Sequence, residues 1–176
     1  MSFKHEISLI LSRKTIAAVI SSSLFGVLLG LIFTIIHMLN NELDTVGEYL
    51  FWFLQATPVY LAFSFPMIFI YGAITSTISD YIARFLSNYT NKKFEIYISF
   101  AFHLLFGLIL LWTSLLASVL FFITDYILRR KNIGGWKSSF KSLVILIIGL
   151  IIYAFGLYIV DSIIHLKDRF LEYLVF

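Results

Sequence analysis

Long apolar runs separated by short charged segments are the main pattern along this sequence. The first run, residues 15–38, is longer than the about 20 residues that a helix needs to cross a bilayer. The second run, residues 49–79, contains Pro58 and Pro66, which predict a kink because proline removes a backbone hydrogen bond. The last run covers residues 142–165. Each of these runs predicts one membrane-spanning helix.

The stretch 96–128 permits two interpretations. At about 1.5 Å per residue a single helix would be roughly 50 Å long, whereas the hydrocarbon core is about 30 Å thick. Two helices, residues 96–111 and 115–128, would be short spans, and the turn from Trp112 to Ser114 lacks Gly, Pro and Asn. We favour five spans with this hairpin, and the alternative is four spans with one long helix over 96–128.

The distribution of basic residues favours the hairpin. Cytoplasmic loops of membrane proteins carry an excess of Lys and Arg. With a hairpin and a cytoplasmic N-terminus, eleven of the 13 Lys and Arg residues are cytoplasmic, and only Lys167 and Arg169 are outside. With one long helix, the dense basic segment 129–141 would lie outside. The tail, residues 166–176, mixes charged and apolar residues at helical spacing, which predicts an interfacial helix.

A short internal repeat gives a second argument for the hairpin. The segment SDYIAR ends the second run, and TDYILR ends the stretch 96–128. Each places an aspartate four residues before an arginine, which predicts helix-end charge pairs Asp80–Arg84 and Asp125–Arg129 at the lipid headgroups. If like segments end like helices, both lie on one side of the membrane, as only the hairpin allows. A fainter copy, VDSIIH in the last run, would end on the opposite side.

Composition indicates a membrane protein rather than a soluble domain. Apolar residues make up 60% of the chain and charged residues 13%, whereas soluble domains are nearer half apolar and a quarter charged. The net charge of +3 comes from basic clusters between apolar runs, which does not indicate nucleic-acid binding. The absence of cysteine excludes disulfides and thiolate metal sites. We therefore predict one all-α membrane domain over residues 1–176, a multi-pass transmembrane helical bundle in contact with the lipid bilayer.

A few polar or small residues inside the predicted spans are candidates for function or for helix packing. His103 lies in the middle of a short span, where it is a proton or ion site or, more commonly, a neutral histidine bonded to a neighbouring helix. Gln55, near a proline, would bond to freed carbonyls or to another helix. Ser22, Gly26 and Gly30 form a row that permits close helix contact, by default with another span of the same chain.

The segments IYGAITSTISDYI, FHLLFG and VLFFITDYILRRK occur in order along the chain. Over about residues 10–131 they resemble a family of small, uncharacterised four-span membrane proteins of Bacillus-type bacteria, some of them carried by prophages. The resemblance implies four helices within that length, and so two in the stretch 96–128, as well as a bacterial inner-membrane setting. The family supplies no activity to transfer, and the last forty-five residues depart from its pattern.

The sequence contains no motif typical of an enzyme, a cofactor site or a metal site. The four histidines are scattered, and no P-loop, HExxH or GxSxG motif occurs. We therefore predict a non-enzymatic partner-binding membrane protein of the immunity or accessory type, which associates with another membrane protein or with a second copy of itself. The alternative is a small oligomeric ion or proton channel or transporter, in which His103 and the hydroxyl-rich residues 75–79 form the path.

Overall fold

The chain is helical throughout the part that the structure describes. The computed structural model describes residues 3–40, 45–89, 91–109 and 112–175, and these ranges contain no strand. The α-helices are α1 (Phe3–Leu39), α2 (Val46–Met67), α3 (Ala73–Tyr89), α4 (Glu95–Ile109), α5 (Trp112–Arg130) and α6 (Trp136–Val175). The all-α fold class predicted from the apolar runs is therefore confirmed.

Three helical segments within the described ranges are long and apolar enough to cross a membrane. They are Ile7–Leu39 in α1, Val46–Tyr89, which includes both α2 and α3, and Trp136–Ile159 in α6. Helix α1 begins at Phe3, before the predicted start of the first span at residue 15. In this extension before residue 15, Ser12 and Lys14 are buried, whereas Ile7, Leu9 and Leu11 are exposed.

Helices α2 and α3 form one continuous rod, joined by a π-helical turn over Ile68–Gly72. A capping box begins α2: the Thr45 hydroxyl accepts from the Glu48 N–H at 3.2 Å, and the Glu48 carboxylate accepts from the Thr45 N–H at 3.4 Å. The two prolines lie inside α2, and the departure from regular α-helix begins two residues after Pro66. Single π turns of this kind occur frequently at functional sites.

The stretch 96–128 consists of two antiparallel helices, α4 and α5. The rings of Phe100 and Phe122 lie 5.0 Å apart, and the Ser118 hydroxyl donates to the His103 carbonyl. Helix α4 ends at Ile109 and α5 already begins at Trp112. The residues from Trp112 to Ser114, predicted as the turn, are therefore the first turn of α5, because none of them is a residue that breaks a helix.

Helix α1 is the centre of the bundle and packs against α2, α3, α5 and α6. Its buried face includes Ile16, Ala17, Ala18 and Phe25, and the Phe121 side chain of α5 joins the same core. Small residues on this face allow neighbouring backbones to approach closely, which is how helices associate in a membrane, where the hydrophobic effect does not drive them together.

Helix α5 ends in a Schellman motif that directs the chain into α6. Asn132 has a left-handed φ of 52°, and the following N–H, of Ile133, bonds to a carbonyl five residues earlier at 3.0 Å. Gly135 then has a φ of 122°, which residues with a side chain rarely adopt. Helix α6 docks on α1 where the Ser139 hydroxyl donates to the Ser12 carbonyl at 2.6 Å.

Helix α6 is peripheral. Beyond its first turns it presents exposed apolar side chains, among them Ile151, Ile152 and Phe155. It runs to Val175 with no break at the predicted boundary between the last span and the interfacial tail, residues 166–176. Residues 166–175 of the tail therefore continue the helix that begins at Trp136, and residue 176 lies outside the described residues.

Candidate functional site

A lysine on α1 is the centre of a group of buried charges. The side chain of Lys14 is 1% exposed. Its ammonium group donates to Asp80 on α3 at 2.8 Å, to Asp125 on α5 at 2.7 Å, and to the Ser76 hydroxyl. A buried charge costs several kcal/mol unless it is paired. These contacts therefore fix the positions of three helices relative to one another.

Two arginines and a serine complete the hydrogen bonding of the two carboxylates. Arg13 donates through Nε to Oδ1 of Asp125 at 2.9 Å. Arg129 donates through Nη2 to Oδ2 of Asp80 at 2.5 Å, and the Ser99 hydroxyl of α4 donates to Oδ1 of Asp80 at 2.9 Å. Each carboxylate oxygen thus accepts at least one hydrogen bond. We define the ionic cluster as Arg13, Lys14, Ser76, Asp80, Ser99, Asp125 and Arg129.

The helix-end charges pair across helices, in addition to the Asp125–Arg129 pair predicted from the repeat. Arg84, the predicted partner of Asp80, contacts Glu95 of α4 at 3.6 Å. Arg129 lies 3.8 Å from its predicted partner Asp125 but 2.5 Å from Asp80. The reason is that both aspartates lie on the buried sides of their helices, next to the ammonium group of α1. They are therefore not solvated headgroup anchors.

The sequence pattern alone does not single out Lys14 as the partner of both aspartates. It places Lys14 among the bases that set the orientation of the chain. A usable signal exists, because the repeated segment predicts two aspartates at the same end of two helices. Two carboxylates that are removed from water need a cation, and Lys14 directly precedes the first apolar run at that end.

His103 lies one helical turn after Ser99 on α4 and is 4% exposed. Its Nδ1 is 2.8 Å from the Ser99 carbonyl oxygen. Because a carbonyl only accepts, Nδ1 carries the proton, and Nε2 of the neutral ring is then an acceptor. Nε2 is buried and has no hydrogen-bond partner among the described residues. The predicted intramembrane polar residue therefore holds one unsatisfied acceptor.

His103 also lines a cavity of about 360 Å³ between α1, α2, the π turn, α4 and α5. Ligand sites in proteins typically have volumes of about 300–1,000 Å³ and mainly apolar walls. Aromatic and aliphatic side chains form most of this wall. The hydroxyl-bearing residues on it include Ser64, Tyr71, Thr75, Ser114 and Ser118.

The ring of Phe121 separates the cavity from the ionic cluster. Phe121 is 1% exposed and lines the cavity, and the Lys14 Nζ atom lies 5.9 Å from its ring centroid. This distance fits a cation–π contact. Gly72 of the π turn makes room for the ring, since a Cβ at that position would lie 3.1 Å from a Phe121 ring atom. The charged and the apolar sites are thus neighbours divided by one side chain.

The predicted small-residue row is a contact within the chain. Ser22 is buried, with its hydroxyl donating to a carbonyl of α1. A Cβ on Gly26 would lie 3.0 Å from the Leu61 Cβ of α2, and one on Gly30 would collide with side chains of α2. Helix α2 therefore covers this row. Gln55, the other predicted polar residue, is exposed on α2.

Within the described ranges, no group of three or more His, Cys, Asp or Glu is placed to hold a metal ion. Comparisons with protein-family models, with curated proteins and with solved structures find no match. The family resemblance, and the bacterial origin that it implies, therefore stay predictions. The ionic cluster and the cavity are the features from which a function can be inferred.

Proposed function

We propose that the chain is a multi-pass protein of the bacterial cell membrane with five spans and a cytoplasmic N-terminus. The ionic cluster supports this topology because it gathers the N-terminal parts of α1 and α4 and the C-terminal parts of the α2–α3 rod and of α5. The basic segment 129–141 then shares one side with Arg13 and Lys14, as cytoplasmic residues do. At about 1.5 Å per residue, α5 is roughly 28 Å long, close to the about 30 Å of the hydrocarbon core.

Cysteine labelling tests this topology, because the natural sequence contains no cysteine. Thr113→Cys would lie at the tip of the α4–α5 hairpin and Lys131→Cys beyond its basic end, and both positions are exposed. A membrane-impermeant maleimide should label Thr113→Cys in intact cells and Lys131→Cys only after lysis. Labelling of Lys131→Cys in intact cells would contradict the five-span topology.

The function that the geometry supports best is non-enzymatic binding of a small molecule inside the helix bundle. The observation that carries this proposal is the cavity of about 360 Å³ beside the unsatisfied acceptor of His103. The small-residue row, predicted by default to contact another span of the same chain, is covered by α2. The predicted non-enzymatic class is therefore kept, and the binding site is assigned to the cavity.

Photolabelling of the purified protein in detergent tests the cavity as a binding site. A decanol that carries a diazirine group should label cavity-lining peptides of α2 and α5, and excess unlabelled decanol should compete. Ala117→Phe fills the cavity from α5 and should abolish the competed labelling, whereas Ala101→Phe, at an exposed position of α4, should retain it. Labelling that decanol does not compete, spread over exposed helix faces, would refute the proposal.

A small ion or proton channel or transporter is the second candidate function. The observation that favours it is that His103 and Thr75, predicted as parts of one polar path, both line the cavity. Phe121 and the ionic cluster close one end, so conduction would require them to move. In vesicles, this function predicts a proton flux that is lost in His103→Leu. Flux no greater than that of empty vesicles would exclude it.

A further inference from the structure

We propose that the cavity binds an amphipathic alcohol, whose uncharged hydroxyl group donates to Nε2 of His103. The inference deepens the proposed binding function and rests on it. The cavity gives a scale for the size of the molecule. At about 30 Å³ for each water-sized group, its volume of about 360 Å³ corresponds to about a dozen non-hydrogen atoms. The ligand is therefore an alcohol with a medium-length apolar body.

Most of the seven hydroxyl groups on the cavity wall can only accept a hydrogen bond from a ligand. Five hydroxyl groups on the wall already donate to backbone carbonyls, those of Ser64, Tyr71, Thr75, Ser114 and Ser118. Each hydroxyl has one proton, so what these groups can still offer to a ligand is oxygen lone pairs. Of the hydroxyl groups on the wall, only those of Tyr60 and Thr113 are left to donate to a ligand that only accepts, such as an ether.

His103 is the acceptor that most needs a donor. Its Nδ1 proton is directed to the Ser99 carbonyl, and Nε2, on the far edge of the ring, has no partner in the described part of the chain. Neighbouring side chains cover Nε2, so binding requires the ring to turn toward the cavity that it lines. A buried acceptor without a partner is unfavourable, and a donated hydrogen bond relieves that cost.

The ligand is uncharged because the cavity offers no counter-charge. No described Asp, Glu, Lys or Arg lines the cavity, and the carboxylates of Asp80 and Asp125 are already bound by Lys14, Arg13 and Arg129. Phe121 stands between these charges and the cavity. An ammonium or carboxylate group inside the cavity would therefore lose its hydration without gaining an ion pair.

The ligand is lipid-soluble because the cavity reaches the outer surface of the bundle beside α2. Phe63 and Met67 both line the cavity, and both are mostly exposed. Both lie within the last five residues of α2, before the π turn, in a segment that is long and apolar enough to cross a membrane. An alcohol dissolved in the bilayer can enter at this point without passing through water.

The test compares decanol with its isomer methyl nonyl ether, which has the same atoms but no hydroxyl donor. Both compete with the photoreactive decanol for the purified protein, at equal mole fractions in the detergent phase. Because one hydrogen bond to a buried acceptor is at stake, decanol should compete about tenfold more strongly than the ether. In His103→Phe the two isomers should compete about equally.

A spectroscopic measurement on the unaltered protein keeps the test independent of whether His103→Phe folds. In protein with ¹⁵N-labelled histidine, decanol should shift the Nε2 signal of His103, and the ether should leave it unchanged. His37, which lies on α1 near Trp52, serves as an internal control whose signal should respond to neither isomer.

The outcomes separate this inference from the proposed function. Equal competition by decanol and ether in the natural protein, with no shift of the Nε2 signal, would refute the proposal that the ligand is an alcohol. The cavity would still be a binding site. Failure of both isomers to compete would overturn the binding function itself. Tenfold selectivity that persists in His103→Phe would show that another group accepts the hydroxyl, and would refute the role of His103.

Discussion

The ionic cluster and the cavity lie on opposite sides of one phenylalanine ring and differ in how far their polar atoms are satisfied. In the ionic cluster, all four carboxylate oxygens of Asp80 and Asp125 accept hydrogen bonds from side chains of the same chain. In the cavity, Nε2 of His103 has no partner within the described residues. The first arrangement uses its polar groups to join helices, whereas the second leaves an acceptor for a molecule from outside.

The comparison indicates that burial of a charged residue does not by itself mark a functional site. Lys14 is the most completely buried charge of the described chain, yet its contacts are explained by the assembly of α1, α3 and α5. The hydrogen bonding of Arg129 is incomplete: Nη2 donates to Asp80, but Nε has no partner among the described residues. The unsatisfied acceptor beside a cavity is the more informative feature.

Removal of Lys14 should have the largest effect on stability. Lys14→Met leaves Asp80 and Asp125 without their shared cation, and breaking a buried ion pair from one side typically costs about 3–5 kcal/mol. We expect a much lower thermal unfolding midpoint in detergent and reduced expression. Lys92→Met, at an exposed position, is the control. Equal stability of the two variants would show that the ionic cluster does not hold the helices together.

Overpacking of the α1–α2 contact should have the second-largest effect on stability. Gly30→Leu forces a side chain into space that Thr57 and Phe53 occupy, and overpacking typically costs about 1–3 kcal/mol. Gly149→Leu is the matched control, because a Cβ there meets no atom within 4 Å. Thermal unfolding should separate the two variants. If Gly149→Leu were the more damaging change, the row on α1 would not be an internal contact.

Replacement of His103 should affect stability little. His103→Leu removes the hydrogen bond to the Ser99 carbonyl, worth about 1 kcal/mol, but also removes an acceptor that has no partner. The two changes oppose each other, so the unfolding midpoint should stay close to that of the natural protein while competition by decanol falls. A loss of stability as large as that of Lys14→Met would place His103 with the ionic cluster rather than with a binding site.

The smallest predicted change in stability is that of Arg84→Gln. Its comparison with Arg129→Gln distinguishes pairing across helices from pairing within a helix. The Arg84 side chain is 51% exposed and 3.6 Å from Glu95, so Arg84→Gln should change stability by no more than about 0.5 kcal/mol. Arg129→Gln should cost more, because it also removes the 2.5 Å contact with Asp80. Thermal unfolding of both variants, run together, measures the difference. Equal losses would support the within-helix pairs that the repeat predicts.

The helical class of the fold was predictable because each apolar run is a local signal. The repeat SDYIAR and TDYILR also carried information about distant residues. Its two aspartates lie at one end of the bundle, and both accept hydrogen bonds from Lys14. The pattern could not identify the partner of these aspartates, because Lys14 lies 66 residues from Asp80 and 111 residues from Asp125 in the sequence. Pairing across helices depends on which faces meet.

The candidate site was only partly predictable for a similar reason. His103 stands out in an apolar stretch, and it lines the cavity. The cavity itself depends on the π turn at Ile68–Gly72 and on the placement of Phe121, neither of which has a local sequence signal. The small-residue row was visible as a packing surface, but the identity of its partner, α2, required the structure.

The most direct test of the division between the two regions is the shift in thermal unfolding midpoint that decanol causes in three proteins. A ligand that binds the folded state raises this midpoint. We predict a rise in the natural protein, and a similar rise from a lower starting value in Arg13→Gln, which weakens the ionic cluster. We predict no rise in Ala117→Phe, which fills the cavity. An undiminished rise in Ala117→Phe would contradict the assignment of binding to the cavity.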